Sequence, residues 1–156
     1  MSEETGTDAP RDDGMAYACQ LVIRLPRVAE AQGPRMKTGR DFWELCKDIQ
    51  DLDRESFHVV TLNQKNAVIE RHLVALGTLT GALVHPREVF RPALHDNAAA
   101  VAFLHNHPSG DTKPSRDDIE LTGRLCECAK LLGFRVLDHV VVGRDGYFSF
   151  VEEGLL

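Results

Sequence analysis

Two histidines one residue apart, His105 and His107, are followed eleven residues later by Asp118 in the stretch HNHPSGDTKPSRDD, residues 105–118. Two imidazoles and a carboxylate are borderline-to-hard donors, a set that suits Zn²⁺. Three protein donors leave the fourth tetrahedral position open, which distinguishes a catalytic zinc from a structural one. Asp117 is the neighbouring carboxylate, but it leaves the other side of a helical first turn. Ser115 and Asp118 also form an S-x-x-D capping box, with Ser115 as N-cap and Asp118 at N3. The two roles are compatible, because the helix dipole keeps an N-terminal carboxylate ionised, as a ligand must be.

A metal-activated water needs a group to take its proton, and a carboxylate outside the ligand set often does this. Glu55, Glu70 and Glu88 are available. Glu55 lies between a helix and a strand. Glu88 lies in the first turn of a helix, where an acidic side chain is stabilised without any catalytic task. Spacing does not choose among them.

The elements that must position these residues follow from hydrophobic period. Residues 1–14 are polar with five acidic side chains and read as a disordered tail; 15–40 read as an N-terminal strand, Tyr17 to Leu25, and a linker. Asp41 to Leu52 has helical spacing, with Phe42, Leu45, Ile49 and Leu52 on one stripe and Asp41 opening the helix. Ser56–Leu62 and Ala67–Leu76 form a hairpin around the turn Asn63–Asn66, and Gly77–Gly81 breaks the pattern. Pro86 starts a helix that runs to about Asn97. Ala98 to Leu104 is a short, continuously apolar run, read as a buried central strand that delivers His105 and His107 at its end. Alternation points both imidazoles one way and Asn106 the other. The loop Pro108–Pro114 turns the chain back, and Ser115 caps a helix with the stripe Leu121, Leu125, Cys128, Leu132 and Gly133 as C-cap. Phe134–Val142 and Tyr147–Val151 are strands. Alternating helices and strands with hairpins at both ends define an α/β (α+β) sandwich around a mixed β-sheet flanked by helices.

Length and composition bound the function classes. At 156 residues, one domain with a substantial core is expected. Hydrophobic content of 43% and charged content of 27% are ordinary for a globular protein, and a net charge of −6 lacks the global basic footprint of a nucleic-acid binder. The four cysteines form no CxxC pair. With no signal peptide and no long apolar run, a reducing, cytoplasmic setting without membrane association is expected.

The stretch fits the pattern H-x-H, seven residues, S-x-x-D of the JAB/MPN-type (JAMM) metalloproteases at His105, His107, Ser115 and Asp118. LGTLTGALVHPREVF, HNHPSGDTKPSRDDIELT, LLGFRVLDHVVVG and YFSFVEEGLL further resemble the RadC-like branch, so the resemblance extends over residues 40–156, with 41–156 as the JAB/MPN domain. It implies a cytidine-deaminase-like mixed sheet with one Zn²⁺ per chain, held by His105, His107 and Asp118. It also implies Ser115 as donor to the zinc water or the oxyanion, and Glu55, near the end of the first helix, as general acid/base ahead of Glu88. The implied activity is zinc-dependent hydrolysis of a peptide or isopeptide bond, with a peptide or protein substrate such as a ubiquitin-like tail. Full-length RadC-like proteins carry an N-terminal helix-hairpin-helix region that residues 1–40 are too short to form, so DNA binding is not expected of this chain. A DNA repair or recombination accessory, a nuclease, and a non-catalytic MPN scaffold are the alternatives. The letters HNH at 105–107 do not support the nuclease, because in an HNH nuclease those residues are scattered over a ββα unit. Oligomeric state stays open, with a dimer as one option.

The other histidines read as structural or solvated, except His139, which follows Asp138 and is a candidate to support the zinc site. Lys113 and Arg116 read as solvated charges in the site loop. Trp43 reads as core.

Overall fold

The computed structural model describes residues 33–77 and 84–156; the expected tail, the strand Tyr17–Leu25 and most of the break after Gly77 lie outside them. The elements are α1 Gly39–Leu45, a 3₁₀ turn Lys47–Ile49, β1 Ser56–Leu62, β2 Val68–Leu76, α2 Pro86–His95, β3 Ala100–Asn106, α3 Arg116–Leu132, β4 Arg135–Val142 and β5 Tyr147–Ser149. The five strands form one sheet in the order β2-β1-β3-β4-β5. Only the β3–β4 pair is parallel, so the sheet is mixed, as expected.

Strand alternation divides the core. Ala100, Ala102 and Leu104 of β3, with Val60, Leu62, Val140 and Val142, pack under Phe42, Cys46 and Ile49 of the α1 region. Val101 and Phe103, with Phe57 and Val59, pack against Val89, Phe90 and Ala93 of α2 and Leu121, Leu125 and Ala129 of α3. The result is three layers, with helices on both faces of the sheet.

Several expected boundaries shift for local reasons. The first helix starts at Gly39, because Thr38 caps it and Asp41 is the N3 partner, with its carboxylate accepting from the Thr38 N–H at 2.9 Å. It gives way to a 3₁₀ turn after Cys46, and Leu52 is exposed rather than on the buried stripe. Residues 34–38 belong to the folded body: Met36 is buried, and Pro34 accepts from the Val68 N–H at 3.0 Å. On α3 the buried stripe ends on Ala129, whereas Leu132 is exposed. Gly133 adopts the left-handed conformation (φ 82°) that ends the helix, as expected. The central strand begins two residues later than expected, because Asn97 is left-handed (φ 52°) and the Ala98 N–H bonds back to Ala93 at 3.0 Å. It also runs two residues further, so His105 lies inside it. Among the described residues, no helix is long and apolar enough to cross a membrane.

His58, on the α1 side of β1, is a buried polar group with a pH consequence. Its Nε2 lies 3.1 Å from Ser56 Oγ, and its Nδ1 meets no hydrogen-bonding partner among the described residues. Burial, with the nearby Arg71 charge, lowers its pKa to about 4. The unfolded chain therefore binds a proton that the folded chain refuses between the ordinary histidine pKa and 4. Stability is lost as pH falls through that window, by an amount on the order of 2–3 kcal/mol. Denaturant unfolding at pH 7 and pH 4.5 should show a smaller acid loss in His58→Gln than in the wild type.

Candidate metal centre

Three elements converge at one end of β3. His105 is its penultimate residue and is fully buried; His107 is the first residue beyond it. Asp118 is 4% exposed and is the N-terminal member of the buried α3 stripe that continues through Leu121, Thr122 and Leu125. His105 Nε2 and His107 Nε2 lie 3.0 Å apart, and the Asp118 carboxylate lies 3.4 Å from the first and 3.3 Å from the second. The two carboxylate distances are to different oxygens, Oδ1 toward His105 and Oδ2 toward His107, so the carboxylate faces both imidazoles at once. His105, His107 and Asp118 form a group that could hold a metal ion. Asp117 is exposed and outside this group.

The hydrogen bonds behind the imidazoles assign their tautomers. His107 Nδ1 lies 2.7 Å from the Asp111 carbonyl, which can only accept, so Nδ1 carries the proton and Nε2 is bare. His105 Nδ1 faces His139 Nε2 at 2.8 Å, and His139 Nδ1 faces Thr122 Oγ1 at 2.6 Å. Thr122 Oγ1 is also 2.6 Å from the Asp118 carbonyl, one helical turn back. The hydroxyl has one hydrogen, and the carbonyl has none. That hydrogen must go to the carbonyl, because otherwise two lone pairs would meet at this distance. His139 then donates from Nδ1, its bare Nε2 accepts from His105 Nδ1–H, and His105 Nε2 is bare. Burial, then the neighbouring imidazoles, hold the His139 pKa well below the ordinary value, consistent with a neutral ring. In that neutral state two imidazole nitrogens and a carboxylate are turned toward one another, a group that could hold a metal ion.

The charges agree. Burial opposes ionisation of Asp118, but hydrogen bonds from the His105 and His107 side and from Ser115 outweigh it and hold the carboxyl far below the usual range. The Asp118 hydrogen bond raises the His107 pKa against desolvation, with Asp111 and Glu55 contributing in the same direction.

Thr122 is thus a tautomer-setting residue. Thr122→Val strands the His139 N–H in the core and is expected to weaken binding of a metal ion at this group by about 10–100-fold, while Thr122→Ser keeps it. Competition with a chromophoric chelator measures both.

The other candidates separate clearly. Glu55 immediately precedes β1, whose Phe57 pairs with His105, and its charge is felt at His107. It lines a groove of about 400 Å³ with Asp53, Arg54, Gly77 and Pro108. Glu70 pairs with Thr61, which pairs with Val101, four residues from His105 and so about 13 Å along the strand. Glu88 lies on α2 between Arg87 and Arg91, at 3.4 and 3.3 Å. Ser115 caps α3 as expected, and its hydroxyl donates to Asp118 Oδ2 at 2.7 Å, holding the carboxylate toward the histidines. Arg116 pairs with Glu120 at 3.0 Å.

The Asp138 carboxylate accepts from the His139 backbone N–H at 2.7 Å but makes no hydrogen bond to the His139 ring, whose partners are His105 and Thr122. It lies on the opposite face, where it accepts from Ser149 Oγ at 2.6 Å and the Val151 N–H at 3.1 Å, tying β4 to the segment after β5. Thr122 was missed from sequence; the available signal was its place one turn after Asp118. Alternation places Asn106 on the face opposite the histidines, as expected, but its sequence neighbours name no partner for it there.

Fold and candidate site together are those of an α/β domain of the JAB type, with a His-His-Asp group that could hold a metal ion. Residues 36–155 match the RadC-like JAB domain, and the chain belongs to that family. Similar proteins include the UPF0758 protein of Rubrobacter xylanophilus, 56% identical over 150 residues covering 92% of this chain and 66% of that protein. That of Trichlorobacter lovleyi is 50% identical, with 92% and 65% covered, and that of Bacillus pumilus 47% identical, with 100% and 70% covered. The chain spans less than two thirds of the length of the Rubrobacter and Trichlorobacter proteins.

Proposed function

We propose that this chain is a zinc-dependent hydrolase that cleaves a peptide or isopeptide bond. The observation that carries the proposal is the convergence of two bare imidazole nitrogens and an ionised carboxylate beside a groove lined by Glu55. A zinc ion held by His105, His107 and Asp118 would polarise the scissile carbonyl and lower the pKa of a water. Glu55 takes the proton of the attacking water and passes it to the leaving amine. Ser115 holds Asp118 at rest and turns its hydroxyl to the oxyanion as the tetrahedral centre forms. The Asp53–Gly77–Pro108 groove receives the substrate backbone. A cytoplasmic setting and a protein or ubiquitin-like substrate fit this chemistry.

The test is turnover of fluorogenic peptide and isopeptide libraries by zinc-loaded protein. Hydrolysis that stops on chelation and returns with zinc supports the proposal. No hydrolysis across both libraries by protein shown to carry zinc counts against it.

A further inference from the structure

The residue between the two histidines faces away from the metal centre, yet it is fully buried and makes three hydrogen bonds. Asn106 Oδ1 accepts from the Ser56 backbone N–H at 2.8 Å and from Ser56 Oγ at 2.8 Å. Asn106 Nδ2 donates to the Arg54 carbonyl at 3.1 Å. A backbone N–H can only donate and a backbone carbonyl can only accept, so the orientation of the carboxamide is settled by its partners. The two peptide groups it grips are those on either side of Glu55.

The reason lies in the sheet. Register between β1 and β3 ends at Phe57 opposite His105. Beyond that row β3 no longer pairs with β1, and the backbone of residues 54–56 is left with the β2 side alone, where Ser56 is opposite Leu76. The Asn106 carboxamide carries one donor and one acceptor, the same pair a neighbouring strand would offer, and it extends the pairing past the end of the ladder. On its other side the segment is tied by the Gly77 N–H to the Glu55 carbonyl at 2.8 Å. Aspartate lacks the donor, serine lacks the reach, and alanine lacks both groups.

We infer that Asn106 is the positioning residue for Glu55: its side chain clamps the peptide groups flanking Glu55 and so aims that carboxylate at the open side of the metal centre. His105 and His107 hold the ion on one face of the strand end while Asn106, on the other face, sets where the proton carrier stands. This rests on the reading of Glu55 as the proton carrier, and the test separates the two.

The probe is Co²⁺ bound in place of zinc, whose visible spectrum changes with pH according to the charges around the ion. Glu55→Gln is expected to move the spectral midpoint to lower pH, because a negative charge has left the neighbourhood. Asn106→Ala should move it in the same direction by most of that amount, with Co²⁺ affinity and far-ultraviolet circular dichroism kept. The double variant should move it no further than Glu55→Gln alone. Ser56→Ala keeps the backbone N–H in the clamp and should leave the midpoint in place. If Glu55→Gln shifts the midpoint and Asn106→Ala does not, the positioning role is overturned while the role of Glu55 stands. If Glu55→Gln itself shifts nothing, the reading of Glu55 fails and the inference with it. Should Asn106→Ala not fold, hydrogen exchange of the wild type decides. A Ser56 amide protected like the interior of β1 supports the clamp, and one exchanging as freely as that of exposed Asp53 overturns it.

Discussion

Replacing Asp118 by alanine is expected to weaken zinc binding by roughly 10²–10³-fold, as follows from sharing about 10–16 kcal/mol of site affinity among four ligands. The apoprotein should stay folded. Asp118 is also the N3 member of the α3 capping box, and losing a cap costs about 1 kcal/mol. Ser115→Ala is the control, because it removes the capping hydroxyl but leaves all three metal donors. The two variants therefore separate the cap from the ligand. Thermal melts with and without zinc should show a zinc-dependent rise in Tm for the wild type and Ser115→Ala, and a much smaller one for Asp118→Ala. Equal zinc response in all three would remove Asp118 from the ligand set.

Glu55→Gln should abolish hydrolysis while leaving the metal in place. The amide keeps the shape of the carboxylate but cannot take a proton, and general-base catalysis contributes about 10²–10⁴-fold. The expected result, on whichever peptide or isopeptide the wild type cleaves, is a fall in kcat of that size with zinc affinity nearly unchanged. Glu88→Gln should alter neither quantity, since its carboxylate is engaged by Arg87 and Arg91 on α2. Glu70→Gln should also be silent, because its row of the sheet is four residues from that of His105. A variant at either position that lost hydrolysis with zinc retained would transfer the proton-carrying role away from Glu55.

The strand and helix types were readable because each element combines a clear period with clear stops. The HxH pair reads well because alternation in β3 is enforced by two apolar cores, one on each face of the sheet. Asp118 reads well because the same residues that cap α3 also continue its buried stripe. What could not be read were the contacts that depend on register between distant segments. The Asp138–His139 neighbours suggest a carboxylate–histidine pair, but strand alternation sends Asp138 to Ser149 and His139 to His105. The place of Thr122 one turn after Asp118 does not by itself reveal its role, because its partner His139 lies seventeen residues away across the helix–sheet interface. The face of Asn106 was readable but its role was not, because its partners Arg54 and Ser56 are about fifty residues earlier. The central strand was displaced by two residues because a run of alanines does not reveal where a helix cap stops and a strand starts.

Zinc K-edge X-ray absorption on the zinc-loaded wild type is the most direct test of the metal centre. The account predicts one tightly bound zinc per chain, with only nitrogen and oxygen donors at about 2.0–2.2 Å, two of them imidazoles showing the multiple-scattering signature of histidine. A sulfur donor at about 2.3 Å, or no zinc retained after reconstitution, would contradict it.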